Sequence, residues 1–68
     1  MEEVKIRDEF IKLGQAMKLS GFVGSGVEAK EVIQGGLVKL NGEVETQRGK
    51  KIVQGDVVSY NGKEFKIV

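Results

Sequence analysis

The 68 residues contain no cysteine, no histidine, no proline and no tryptophan. Without cysteine there is no disulfide to staple a small core and no thiolate to act as nucleophile or metal ligand. Without histidine the usual imidazole base and zinc ligand are missing too. Ser20, Ser25 and Ser59 therefore have nothing in the chain to activate them. Asp56 and Glu64 could be called a carboxylate pair, but they fall at a turn and on a hairpin, where acids are ordinarily solvated. The expectation is a protein that is not an enzyme, with no catalytic residues, metal or cofactor.

Long apolar runs are also lacking. Nothing approaches the roughly 20 residues of a membrane span. The opening MEEVKIRDEF is acidic and mixed, unlike the basic-then-apolar start of a signal peptide. A single domain over residues 1–68, cytoplasmic, away from membranes and monomeric, is expected. Net charge is only +1. Residues 1–10 carry four acids against two cations, a balance of −2, which leaves +3 for the rest.

What is present is punctuated pattern. Val4 and Ile6 alternate with Lys5 and Arg7, which allows a first short strand. Phe10, Leu13 and Met17 recur at helical spacing, and a helix is predicted from about Leu13 to Ser20, stopped by Gly21. Gly14 weakens its first turn by roughly 0.5–1 kcal/mol relative to alanine. After a link of about four residues, Ser25 and Glu28 form a capping box. Ala29, Val32 and Ile33 give the second helix its apolar stripe, and Gly35-Gly36 ends it. GFVGSG lacks the lysine and hydroxyl ending of a P-loop, so a helix–helix turn is the better reading, though the helix start could attract a phosphate.

From Val38 the period becomes two. Asn41-Gly42 marks a hairpin, and a three-residue loop over Leu40–Gly42 would pair Val38 with Val44, apolar against apolar. The second hairpin, at Asn61-Gly62, suits a two-residue loop with Val58 opposite Phe65. The predicted architecture is α+β: two short helices on a small, mostly antiparallel sheet of about five strands. Its expected core includes Ala29, Val32, Ile33, Val38, Val44 and Val58.

Lys12, Lys18, Lys30, Lys39, Arg48, Lys50 and Lys51 all fall in the middle of the chain. Cations in such numbers usually decorate a solvated face. Their company gives them more meaning. Lys12-Leu13, Ser25, Glu28-Ala29-Lys30, Gly36, Val38-Lys39-Leu40-Asn41-Gly42 and Gly55-Asp56-Val57 follow the order of a known pattern. It resembles the small RNA-binding domain named after ribosomal protein S-four, the alpha-L RNA-binding motif. FIKLGQAMKLSG is similar to the opening of its short stand-alone bacterial members, the YbcJ-like and YaaA-like proteins. Many members have Asp at the position of Gly14, Arg at that of Gly26, and a polar or aromatic residue at that of Leu37.

The resemblance implies a basic face for structured RNA, with ribosomal RNA or an assembly intermediate as the target class and ribosomal or assembly proteins as neighbours. It implies contacts from Lys12 and Lys18 on the first helix, Ser25 and Lys30 on the second, Lys39, and Arg48, Lys50 and Lys51 on the loop. The alternative is a protein-interaction module that keeps the fold without strong RNA binding, which the low net charge, Gly26 and Leu37 favour. Aromatic residues are few, three Phe and one Tyr, so stacking on single strands is the weaker mode.

Overall fold

The computed structural model describes residues 1–68 throughout. In chain order the elements are β1 (Glu2–Val4), β2 (Ile11–Lys12), α1 (Leu13–Leu19), α2 (Gly26–Gln34), β3 (Val38–Leu40), β4 (Glu43–Val44), β5 (Lys51–Ile52), β6 (Val57–Tyr60) and β7 (Lys63–Ile67). Five strands make one sheet in the order β1-β7-β6-β3-β4, and β2 and β5 form a separate antiparallel ribbon. Only β1 and β7 run parallel. The α+β architecture therefore stands, with one addition. The two-residue strands β2 and β5 are too short to show a period in the sequence.

Both helices lie on one face of the sheet. Leu13, Ala16 and Met17 of α1 and Ala29, Val32 and Ile33 of α2 meet Val38, Val58, Phe65 and Ile67 of the strands. Phe22, in the link between the helices, packs edge-on against Phe65, with centroids 5.1 Å apart. All 14 buried residues are apolar, and no buried side-chain nitrogen or oxygen lacks a partner. Phe10, the first member of the predicted helical stripe, precedes α1 and lies at the surface.

The helix ends follow local chemistry. Ser25 caps α2, its Oγ accepting the Glu28 N–H at 3.1 Å. The Glu28 carboxylate reaches one residue further back than a capping box requires and accepts the Gly24 N–H at 2.7 Å. Gly36 takes the left-handed turn after the helix, at φ +78°.

The first hairpin corrects the expected register. Lys39 pairs with Val44 and Leu40 with Glu43, so the loop has two residues, Asn41 and Gly42. Both have positive φ, 53° and 87°, as the tight hairpin turn of this type requires. Asn41 is held there by its surroundings. Its N–H donates to the Val57 carbonyl at 2.8 Å, and its Oδ1 accepts the Val57 N–H at 2.9 Å. Its Nδ2 donates to Asp56 Oδ1 at 3.0 Å, while Asp56 Oδ2 accepts the Val53 N–H at 2.8 Å.

Matching apolar partners misled because β4 is a two-residue edge strand. Val44 stands opposite Lys39, on the side of the sheet away from the helices, and is 55% exposed. It is not part of the core. The second hairpin keeps the predicted register, with Val58 opposite Phe65.

This packing separates two substitutions. Ile33→Ala removes a fully buried side chain and should lower the unfolding free energy by about 2–5 kcal/mol in a urea titration. Val44→Ala should change it by less than about 0.5 kcal/mol. A large loss at Val44 would restore the three-residue loop.

Candidate nucleic-acid interface

The start of α1 determines where the cations go. A helix leaves its first amides without intrahelical partners, and a side-chain oxygen at the N-cap commonly takes one. Here the N-cap is Lys12, whose ammonium can accept nothing. Gln15 supplies half a capping box, its Oε1 accepting the Lys12 N–H at 3.3 Å. The next two amides are satisfied from across the molecule. Leu13 N–H donates to the Lys50 carbonyl at 2.9 Å, and Gly14 N–H to the Arg48 carbonyl at 3.0 Å. The loop Gln47–Lys50, closed by a Lys50 N–H to Gln47 carbonyl bond of 3.1 Å, is thus docked by its backbone on the helix start.

The docking does not require the absence of a side chain at Gly14. A Cβ at Gly14 would stand 3.5 Å from the Arg48 carbonyl oxygen and 3.6 Å from its Cβ, in ordinary contact. The ribbon completes the clamp, with Ile11 opposite Ile52 and Lys12 opposite Lys51.

A groove of about 380 Å³ results between α1, the first turn of α2 and the loop. Lys12, Lys18 and Arg48 line it, with Gln15, Gly26 and Gly49 and no acidic side chain. Gly26 is the first residue of α2, so the groove includes the amide-rich end of that helix. Lys30 follows Gly26 by four residues, one turn along the same stripe, and is exposed.

The remaining cations divide. Lys50 and Lys51 line a neighbouring depression of about 560 Å³ that also holds Glu43, Glu45 and Asp56. The Lys51 ammonium sits 4.7 Å from the centre of the Phe10 ring, a favourable cation–π distance. Lys39 alternates with buried Val38 and faces away from the helices. The structure thus gathers Lys12, Lys18 and Arg48 with the Ser25-capped helix start, leaves Lys30, Lys50 and Lys51 at the border, and sets Lys39 apart.

Lys12 and Lys51 face each other across the ribbon as like charges, an arrangement that costs stability. Sequence reading missed that opposition, and it missed Gln15 and Gly14 as members of the groove. Gln15 alone had a readable signal, its spacing of three from Lys12.

The model of the S4 domain matches residues 4–68. The chain belongs to the S4 domain family. It is 41% identical over 58 residues to YbcJ of Escherichia coli (strain K12), covering 85% of this chain and 83% of YbcJ. It is 39% identical over 59 residues to the "Probable ribosome maturation protein RlbA" of Bacillus subtilis (strain 168), covering 87% and 83%. The solution structure of E. coli YbcJ, described as revealing an alphaL motif involved in RNA-binding, superposes with a TM-score of 0.77 at 36% identity. It covers all of this chain and 87% of YbcJ.

Within the S4 domain pattern, the positions of Asn-Gly and Gly-Asp-Val now have a physical reason. They are Asn41-Gly42 and Gly55-Asp56-Val57, and they bond to each other. The position that carries Arg in many members of this S4 family is Gly26 here, and a Cβ there meets nothing within 4 Å.

The lysine pair yields a test independent of any ligand. Lys12→Glu replaces a like pair by an opposite one and puts an acid at the start of α1. It should raise the unfolding free energy by about 0.2–1 kcal/mol in low salt. The gain should shrink in 1 M salt, where the Debye length falls to about 3 Å. A loss of stability would mean that the two ammonium groups do not oppose each other.

Proposed function

We propose that this protein is a non-enzymatic RNA-binding protein that holds structured RNA by its phosphates, with the groove of Lys12, Lys18 and Arg48 at the centre of the contact. The observation that carries this reading is that three cations from two separate segments surround one acid-free groove at a helix start. Lys12 also stands opposite Lys51 in the ribbon, a pairing of like charges that strands generally disfavour. Ser25 fits the same role: its Oγ accepts the Glu28 N–H, which leaves its own hydrogen free to donate outward. Lys30, Lys50 and Lys51 extend the face.

A basic groove of this kind suits A-form RNA, whose base edges are hidden in a deep, narrow major groove and whose backbone and shape are what a protein meets. The similarity to a named ribosome maturation protein and to YbcJ supports ribosomal RNA, or an intermediate in its assembly, as the target class. In this reading the chain works as a single copy in the cytoplasm, with no cofactor. Binding displaces condensed counterions, so affinity falls as salt rises.

Each phosphate contact adds about 0.7–0.9 to the steepness of log affinity against log salt. The combined change of Lys12, Lys18 and Arg48 to Gln should flatten that slope by roughly two units on a hairpin RNA. The loss should be similar across sequences, because phosphate contacts position and do not specify. Lys63→Gln and Lys66→Gln, on β7, should leave the slope unchanged. An unaltered slope in the triple variant would move the site elsewhere. No binding at low salt would favour the protein-interaction reading of the same fold.

The open space at Gly26 yields the opposite experiment. Gly26→Arg adds a cation at a position that lines the groove, where its Cβ would meet nothing within 4 Å. It should tighten binding and steepen the slope by about 0.7–0.9.

A further inference from the structure

A second groove, of about 730 Å³, runs beside the first on the other flank of α1. Phe10, Ile11 and Leu19 form its apolar wall, while Lys5, Arg7 and Lys18 bring cations and Asp8 its single acid. Gln15 and Lys18 line both grooves, so the two are continuous across the exposed edge of α1. Leu19 is 68% exposed and Phe10 38%, so each presents apolar surface to solvent.

The Phe10 ring divides two environments. Lys51 sits over the ring but lines the other depression, with Lys50 and Asp56, and not this groove. The ring is therefore in contact with a cation from one depression while Phe10 also lines the other groove. A part-exposed aromatic ring flanked by cations matches the needs of a nucleobase joined to a phosphate. The interior bases of a duplex cannot use such a face, because they are stacked on each other.

We infer that Phe10 is a stacking platform for one unpaired nucleobase that flanks the RNA helix, with Arg7, Lys5 and Lys18 on its phosphates. This rests on the RNA-binding reading above and adds to it a preference among RNAs. The basic groove holds a duplex by its backbone. The strand that leaves it passes Lys18 along α1 and lays its first unpaired base on Phe10.

The test compares five versions of one hairpin RNA: blunt, with a short unpaired purine tail at the 5′ or at the 3′ end, and with each of those tails made abasic. The abasic tail keeps the phosphates and removes the base. The full chain should bind one of the base-bearing tails about 5- to 100-fold more tightly than the blunt hairpin, the range of one base stacked on an aromatic ring. The abasic tail should show little of that gain. A 2-aminopurine in the first tail position should change fluorescence on binding. Phe10→Leu keeps an apolar side chain without an aromatic face, and should abolish both the preference and the fluorescence change while leaving the salt slope on the blunt hairpin intact. Phe10→Tyr should keep both.

Equal binding of blunt and tailed RNA by the parent, with a normal salt slope, would overturn the platform and leave the basic face standing. A tail preference that survives Phe10→Leu would also overturn it. Failure to bind any of these RNAs at low salt would overturn both readings together. Thermal melting of Phe10→Leu, whose side chain lies outside the buried core, verifies that the variant is folded.

Discussion

The two hydrogen bonds from Leu13 and Gly14 to the carbonyls of Lys50 and Arg48 are the contact on which the candidate interface depends. A helix of seven residues is too short to persist through its own hydrogen bonds, and its N-cap is a lysine that can accept nothing. Backbone carbonyls from residues more than 30 positions away do the work of a cap. Because the loop is docked by its main chain, the Arg48 side chain is carried to the groove beside Lys12 and Lys18. Anything that loosened the loop would disperse the cations and uncap the helix at once. Stability and the geometry of the face are thereby coupled through the same two bonds.

A second polar clamp supports the first from the sheet side. Asn41, in the turn between β3 and β4, and Asp56, before β6, bond to each other and to main-chain groups of Val57 and Val53. Asp56 closes the turn that leads from the loop and β5 back into the sheet. The two clamps bracket the segment from β4 to β6, which has little regular structure of its own. Below them the core is entirely apolar. Ionisable groups are therefore left for the surface, where their charge acts on whatever approaches.

The distribution of that charge matters more than its sum. A net charge of +1 hides a groove with three cations and no acid, and a neighbouring depression in which Lys50 and Lys51 sit among Glu43, Glu45 and Asp56. The first can attract phosphate strongly. The second is partly neutralised by its own acids. The same contrast separates Lys12, whose counterpart across the ribbon is another lysine, from Lys39, which lies on the far side of the sheet among strand residues.

The sequence by itself determined what depends on neighbours along the chain. Both helices, the Ser25 cap, the left-handed glycines, the second hairpin and most of the core were legible because three- and four-residue spacing, alternation and turn chemistry are local. The order of basic residues around Asn-Gly and Gly-Asp-Val marked the family for the same reason. Tertiary structure alone decided the rest. The register of the first hairpin depended on bonds from Asn41 to residues 15 and 16 positions away, and on β4 being an edge with no core behind it. The division of the cations depended on the loop's docking to α1. The contact of the Phe10 ring with a cation depended on Lys51, its partner 41 positions along the chain. Contacts of that range carry no periodicity, so nothing in the linear pattern could reveal them.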